Sequence, residues 1–103
     1  MTLVKVVYEL TQNFPMEEKF GLAQQMRRAA VSIPSNIAEG AARSSAKEYA
    51  YFLNVARGSL AELDTQLQIA VMLEFATLSN DAFALSDQVG KLLTGLYKKW
   101  NTQ

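Results

Sequence analysis

Apolar residues along this chain recur at intervals of three and four, and nowhere do they alternate in twos over a sustained stretch, so the pattern predicts helices throughout. A first segment, about Thr2 to Asn13, sets Leu3, Val6, Val7 and Leu10 on one side and stops at "NFP", where Pro15 biases Phe14 away from the helical region. A second is expected from about Met16 to Ala42, with Glu17 and Glu18 at its positive end and Leu22, Met26, Ala29, Ile33, Ile37 and Ala41 facing inward. "ARSS" closes it, and Ser45 with Glu48 three residues on forms a capping box for the next helix. That third helix, about Ala46 to Phe75, carries a heptad seam running from Tyr49 and Leu53 to Leu67 and Ala70 in alternating steps of four and three. "LSND" marks the last boundary, with Ser79 as the cap, Asp81 in the first turn and Leu78 placed to staple against Phe83. The fourth helix bears Leu85, Val89, Leu92, Leu93, Leu96 and Trp100, and ends with Lys98 and Lys99 at its negative pole. Short connections between such helices favour an all-α, up-down-up-down four-helix bundle, a single domain over residues 1–103.

The second segment contains a fault, "SIPSNIAEG". A helix interior disfavours proline by about 3 kcal/mol and glycine by about 1 kcal/mol relative to alanine. Pro34 removes the amide that would bond to Ala30 and crowds that carbonyl, so a kink is expected near residues 30 to 34. Gly40 admits another backbone closely, and Gly58 with Ser59 in the third helix is expected to do the same. Arg28, Ser32, Ser35, Glu39 and Arg43 fall within roughly 80° of one another as a polar stripe. Glu39 and Arg43 make an i,i+4 pair in the favourable order. The apolar and small positions of this helix span an arc of roughly 200°, wider than one buried face requires, so it is expected to meet more than one neighbouring surface.

Composition narrows the chemistry. Ten basic and ten acidic residues cancel, so the basic surplus of a free-standing nucleic-acid binder is missing. Residues 1–60 carry seven Lys/Arg against five Asp/Glu and the rest three against five, an asymmetry too small to decide anything. With neither cysteine nor histidine, the chain lacks the thiol nucleophile, the thiolate metal ligand and the commonest general base. The Glu-x-x-His pattern of di-iron bundles therefore cannot occur, and "GSLAEL" lacks the preceding strand of a phosphate-binding loop. The densest apolar run, "IAVMLEFA", is broken by Glu74 and is too short for a membrane span, and the start does not read as a secretory leader. A cytoplasmic protein that is not an enzyme, with no cofactor and no membrane partner, is the expectation.

"RRAAVSIPSNIAEGAAR" followed by "EYAYFLNVARGSLAEL" resembles the four-helix-bundle proteins encoded by intervening sequences inside bacterial 23S ribosomal RNA genes. The accessory variability proteins of diversity-generating retroelements look similar. The matching positions are Arg28, Ala29, Ser32, Asn36, Ile37, Ala38, Glu39, Gly40 and Arg43, then Phe52, Leu53, Ala56, Gly58, Ser59 and Glu62. The likeness spans nearly the whole chain, although family members usually carry a longer first helix. It implies a bundle that assembles into a homopentameric ring, without an established enzymatic activity. It also suggests association with RNA or DNA, although the retroelement proteins are typically more basic than this chain.

Candidate residues follow. Arg28, Ser32, Pro34, Asn36, Glu39, Gly40, Arg43, Gly58, Ser59 and Glu62 form an assembly motif. Glu39 and Glu62 could pair for acid–base work if their helices faced each other, but arginine partners (Arg28, Arg43 or Arg57) are the plainer expectation. Arg27, Arg28, Arg43, Lys47 and Arg57 are the candidate nucleic-acid contacts, with Tyr51 as a stacking ring, set against the plainer reading of scattered solubilising charge.

Overall fold

A computed structural model describes residues 1–101 as four helices, α1 (Thr2–Gln12), α2 (Leu22–Ala41), α3 (Ala46–Met72) and α4 (Asp81–Asn101), with a single 3-10 turn at Met16–Glu18. Helices adjacent in sequence pack on one another, and α1 closes the arrangement against α4. Neighbours run in opposite directions. Ser32 of α2 bonds Ser59 of α3, while Gly40, further along α2, lies against Phe52, earlier in α3. Likewise Asp64 meets Ser86, and Tyr49, near the start of α3, stacks on Trp100 at the end of α4. The two outer connections meet at one tip of a rod measuring 45 × 23 × 18 Å, where the Phe14 and Phe75 rings lie 5.3 Å apart.

The core follows the heptad seam. Leu53, Ala56, Leu60, Leu63, Leu67 and Ala70 of α3 are all buried, against Met26, Ala29 and Ile33 of α2 and Leu3 and Val7 of α1. Two inward expectations fail: Ala41 is exposed at the last turn of α2, and Leu92 is exposed on α4. The buried positions of α4 are Ala82, Ser86 and Leu93. Ser86 is tolerated there because its hydroxyl donates to the Asp64 carboxylate, so that buried hydroxyl is not left unpaired.

Several boundaries differ from those the sequence suggests. The second helix begins at Leu22, not Met16, because Gly21 adopts φ −105°, ψ −112° and interrupts the spiral. Glu18 still serves the new helix, its Oε1 accepting from the Leu22 amide at 3.3 Å. The third helix stops at Met72, not Phe75, at a left-handed cap. Glu74 has φ 65°, the Phe75 amide donates to the Ala70 carbonyl at 2.8 Å, and the Glu74 amide to Val71 at 3.0 Å. At its other end Ser45 Oγ accepts from the Glu48 amide at 3.1 Å, the serine half of the capping box. Asn80 rather than Ser79 caps α4, accepting from the Ala82 amide at 2.9 Å, while Ser79 pairs with Thr77 and Leu78 stands exposed. Pro34 lies inside α2 without dividing it.

At Gly40 the backbone of α2 lies close against α3. A Cβ there would stand 2.8 Å from Phe52 Cβ and 2.9 Å from Tyr49 Cδ1. Gly40→Ala should therefore lower stability by about 1–3 kcal/mol in urea unfolding. Gly95→Ala on α4, where a Cβ meets nothing within 4 Å, should raise it by about 0.5–1 kcal/mol. Equal effects would remove the close approach as the explanation. Glu74→Gly should also stabilise by about 0.5–1 kcal/mol, because it relieves a left-handed conformation that side chains disfavour; a loss measured by the same unfolding would contradict this.

A candidate assembly face on the second and third helices

The polar stripe on the second helix divides in the structure. Ser32 and Asn36 turn toward α3: Ser32 and Ser59 Oγ atoms pair at 2.8 Å, and Asn36 Nδ2 donates to the Ser32 carbonyl at 2.8 Å and to its Oγ at 2.9 Å. All three are part-buried, so this network fixes the register of α2 on α3 rather than presenting polar groups to a ligand. Arg28, Ser35 and Glu39 are exposed, together with Val31 and Ala38 between them. These last residues form the outward strip of α2.

Glu39 and Arg43 are ion-paired across one turn, with side chains 51% and 44% exposed. A pair so open to water contributes little to stability. The Arg43 guanidinium also covers the Phe52 ring at 5.1 Å, and Phe52 meets Tyr51 edge-on at 5.1 Å. Arg43 thus ties the end of α2 to the start of α3.

Glu62 takes a different partner from the arginine expected, accepting from Gln66 Nε2 at 3.2 Å within its own helix. Nor do Glu39 and Glu62 form a carboxylate pair. They lie on opposite sides of the Ser32–Ser59 level, roughly 15 Å apart along the axis. Arg57 donates to Asn54 at 3.3 Å and lies 4.7 Å from the Tyr97 ring centre, facing α4. Arg27 is turned the other way, donating to Thr11 Oγ1 at 2.8 Å with its guanidinium 4.7 Å from the Tyr8 ring centre. The five candidate nucleic-acid contacts therefore do not form one patch.

Gly58 corrects another expectation. Nothing within 4 Å would meet a Cβ there, so it makes no close approach inside the chain. It lies on the outer face of α3 with Tyr51 and Val55, both exposed. The exposed apolar or small residues on the outward sides of the two helices are therefore Val31 and Ala38 on α2 and Tyr51, Val55 and Gly58 on α3. The position of Gly58 in a helix had suggested packing, but one chain's sequence does not say whether the packed surface lies inside or outside the fold.

Charge is sorted along the rod, although it cancels overall. At the tip where the two outer connections meet stand Glu17, Glu18, Glu74 and Asp81 against Lys19 and Arg27. At the other tip are Arg43, Lys47, Lys98 and Lys99 against Glu39 and Glu48. Among the described residues no group of three or more Asp or Glu side chains is placed to hold a metal ion, and no helix is long and apolar enough to cross a membrane.

No curated protein matches the chain. A family model described as 23S rRNA-intervening sequence protein matches residues 1–95, a span that includes the Ser32–Ser59 network, the outward strips of α2 and α3 and most of α4. With that match over nearly its whole length and four helices in its fold, the chain belongs to the family of 23S rRNA-intervening sequence proteins.

Proposed function

We propose that this chain is a non-enzymatic, self-associating module that forms a homopentameric ring through the outward faces of α2 and α3 and acts as a scaffold or accessory factor in a nucleic-acid-related process. The observation that carries this reading is the face itself. Val31 on α2 and Tyr51 and Val55 on α3 are exposed, and nothing lies within 4 Å of where a Cβ would stand at Gly58, on the same side of α3 as Tyr51 and Val55. Subunit packing there would also bury motif residues that the bundle leaves in water, Arg28 and Glu62 among them. The count of five rests on the family resemblance. The chemistry of the chain agrees with a binding role, since its sequence holds neither histidine nor cysteine.

Light scattering of the purified protein should return a mass five times that of the 11.4-kDa chain. Val55→Glu and Gly58→Glu should each release folded monomer with an unchanged helical circular dichroism spectrum. A wild-type monomer at micromolar concentration would end the assembly reading.

Direct binding of RNA or DNA is a second reading, favoured by the cluster of Arg43, Lys47, Lys98 and Lys99 at one tip. In a ring whose subunits point the same way, these cations would repeat around one face and raise its local potential. A gel-shift salt series should then show affinity falling as salt rises, with a shallower slope for Lys47→Glu. Absence of binding at low salt would leave the tip as ordinary solvated charge.

A further inference from the structure

The opposite tip combines two properties that the assembly face does not use. Met16 and Phe20 in the first connection and Met72 and Leu78 around the last are 72–80% exposed, and Leu73 beside them is also exposed. The two connections are held together by the Phe14–Phe75 ring contact, so these side chains share one end of the rod. Large apolar side chains gathered on one exposed end mark an interaction surface more often than free solvent-facing protein. Around them stand Glu17, Glu18, Glu74 and Asp81, and two cations among the described residues: Lys19, whose Nζ lies 5.6 Å from the Phe20 ring centroid, and Arg27, which lines the same hollow as Met16 and Lys19 and is tied to Thr11.

We propose that this tip docks a basic amphipathic helical segment of a partner protein, whose apolar residues cover Met16, Phe20, Met72 and Leu78 while its lysines or arginines meet the acidic rim. Charge decides among the possible occupants. A nucleic acid or an anionic lipid surface would be repelled by four carboxylates set against two cations, Lys19 and Arg27. A second copy meeting this tip with its own would bring two acidic rims together. A second copy meeting it with its basic tip would match the rim but not the centre, because the connection there exposes Ala42, Arg43, Ser44 and Ser45 in place of large apolar side chains. A basic amphipathic helix satisfies both conditions, with anchors at helical spacing on one face and cations along its edges. The surface lies at the end of the rod, away from the α2 and α3 faces, so it stays open in a ring built through those faces.

The test uses the full chain and a fluorescent Leu/Lys amphipathic peptide of about 18 residues, with a Leu/Glu peptide of the same pattern as the control. Anisotropy titration should show the Lys peptide binding at least about tenfold more tightly than the Glu peptide. Leu78→Ser and the double variant Glu17→Lys, Glu74→Lys should each weaken the Lys peptide about tenfold or more. Lys47→Glu at the far tip should leave it unchanged. Hydrogen exchange should show the peptide protecting amides around residues 14–20 and 72–80. Equal binding of both peptides, indifference to the tip substitutions, or protection around residues 43–47 would overturn the proposal. So would a drop in the light-scattering mass of Leu78→Ser, which would make this tip a contact between copies. Retained assembly in Leu78→Ser with lost peptide binding would separate this surface from the ring reading.

Discussion

Gly40 lets α2 lie so near α3 that a single added carbon would stand 2.8 Å from the Cβ of Phe52. Much of the bundle depends on that approach. It brings Ser32 within hydrogen-bonding reach of Ser59, lets Arg43 cover the Phe52 ring, and accompanies the burial of Ala29 and Ala30 of α2 and Ala56 of α3. The helix pair so formed supplies the largest share of the buried residues. α1 and α4 then close over it, α1 through Leu3 and Val7 and α4 through Leu93 and the Ser86–Asp64 bond.

Hydrophobic burial drives such a bundle together but does not set its register, because one apolar turn can replace the next at small cost. Register is the work of a few polar contacts between helices. Ser32 with Ser59 fixes α2 on α3, Ser86 with Asp64 fixes α4 on α3, and Arg27 with Thr11 fixes α1 on α2. Each contributes only about 1 kcal/mol net. A slip of one turn would strand these groups without partners, and for the part-buried ones that penalty exceeds what the bond itself supplies.

The third helix is the element most plainly written in the sequence, since every position of its seam from Leu53 to Ala70 is buried as the spacing indicates. The second is harder to read at both its start and its faces. Met16 to Phe20 has helical composition, and only the backbone angles of Gly21 show that the spiral restarts at Leu22. Arg28 and Ser32 lie one turn apart on the same stripe, yet one faces water and the other α3. Residues at the edge of a helical face are separated by too small an angle for periodicity to assign them. Ser86 escaped notice because a serine at an inward position looks like a defect until its carboxylate partner, twenty-two residues earlier, is folded against it. The exposed Met16, Phe20 and Leu78 sit in connections, where no period exists to betray them. Charge was hidden for a related reason. The three long helices, α2, α3 and α4, each run between the tips, so any cut along the chain mixes the two ends and leaves only a small imbalance.

Opposite charges held at the two ends of a 45 Å rod give a neutral molecule a large permanent dipole moment. Such a molecule feels almost no net pull from a distant polyanion, yet it experiences a torque. A polyanion would turn it before drawing it in, with Lys47 and Lys98 leading and Glu17 and Glu74 trailing. Diffusion thereby becomes a selection of orientation, and added salt would erase that alignment while leaving every contact in the fold intact.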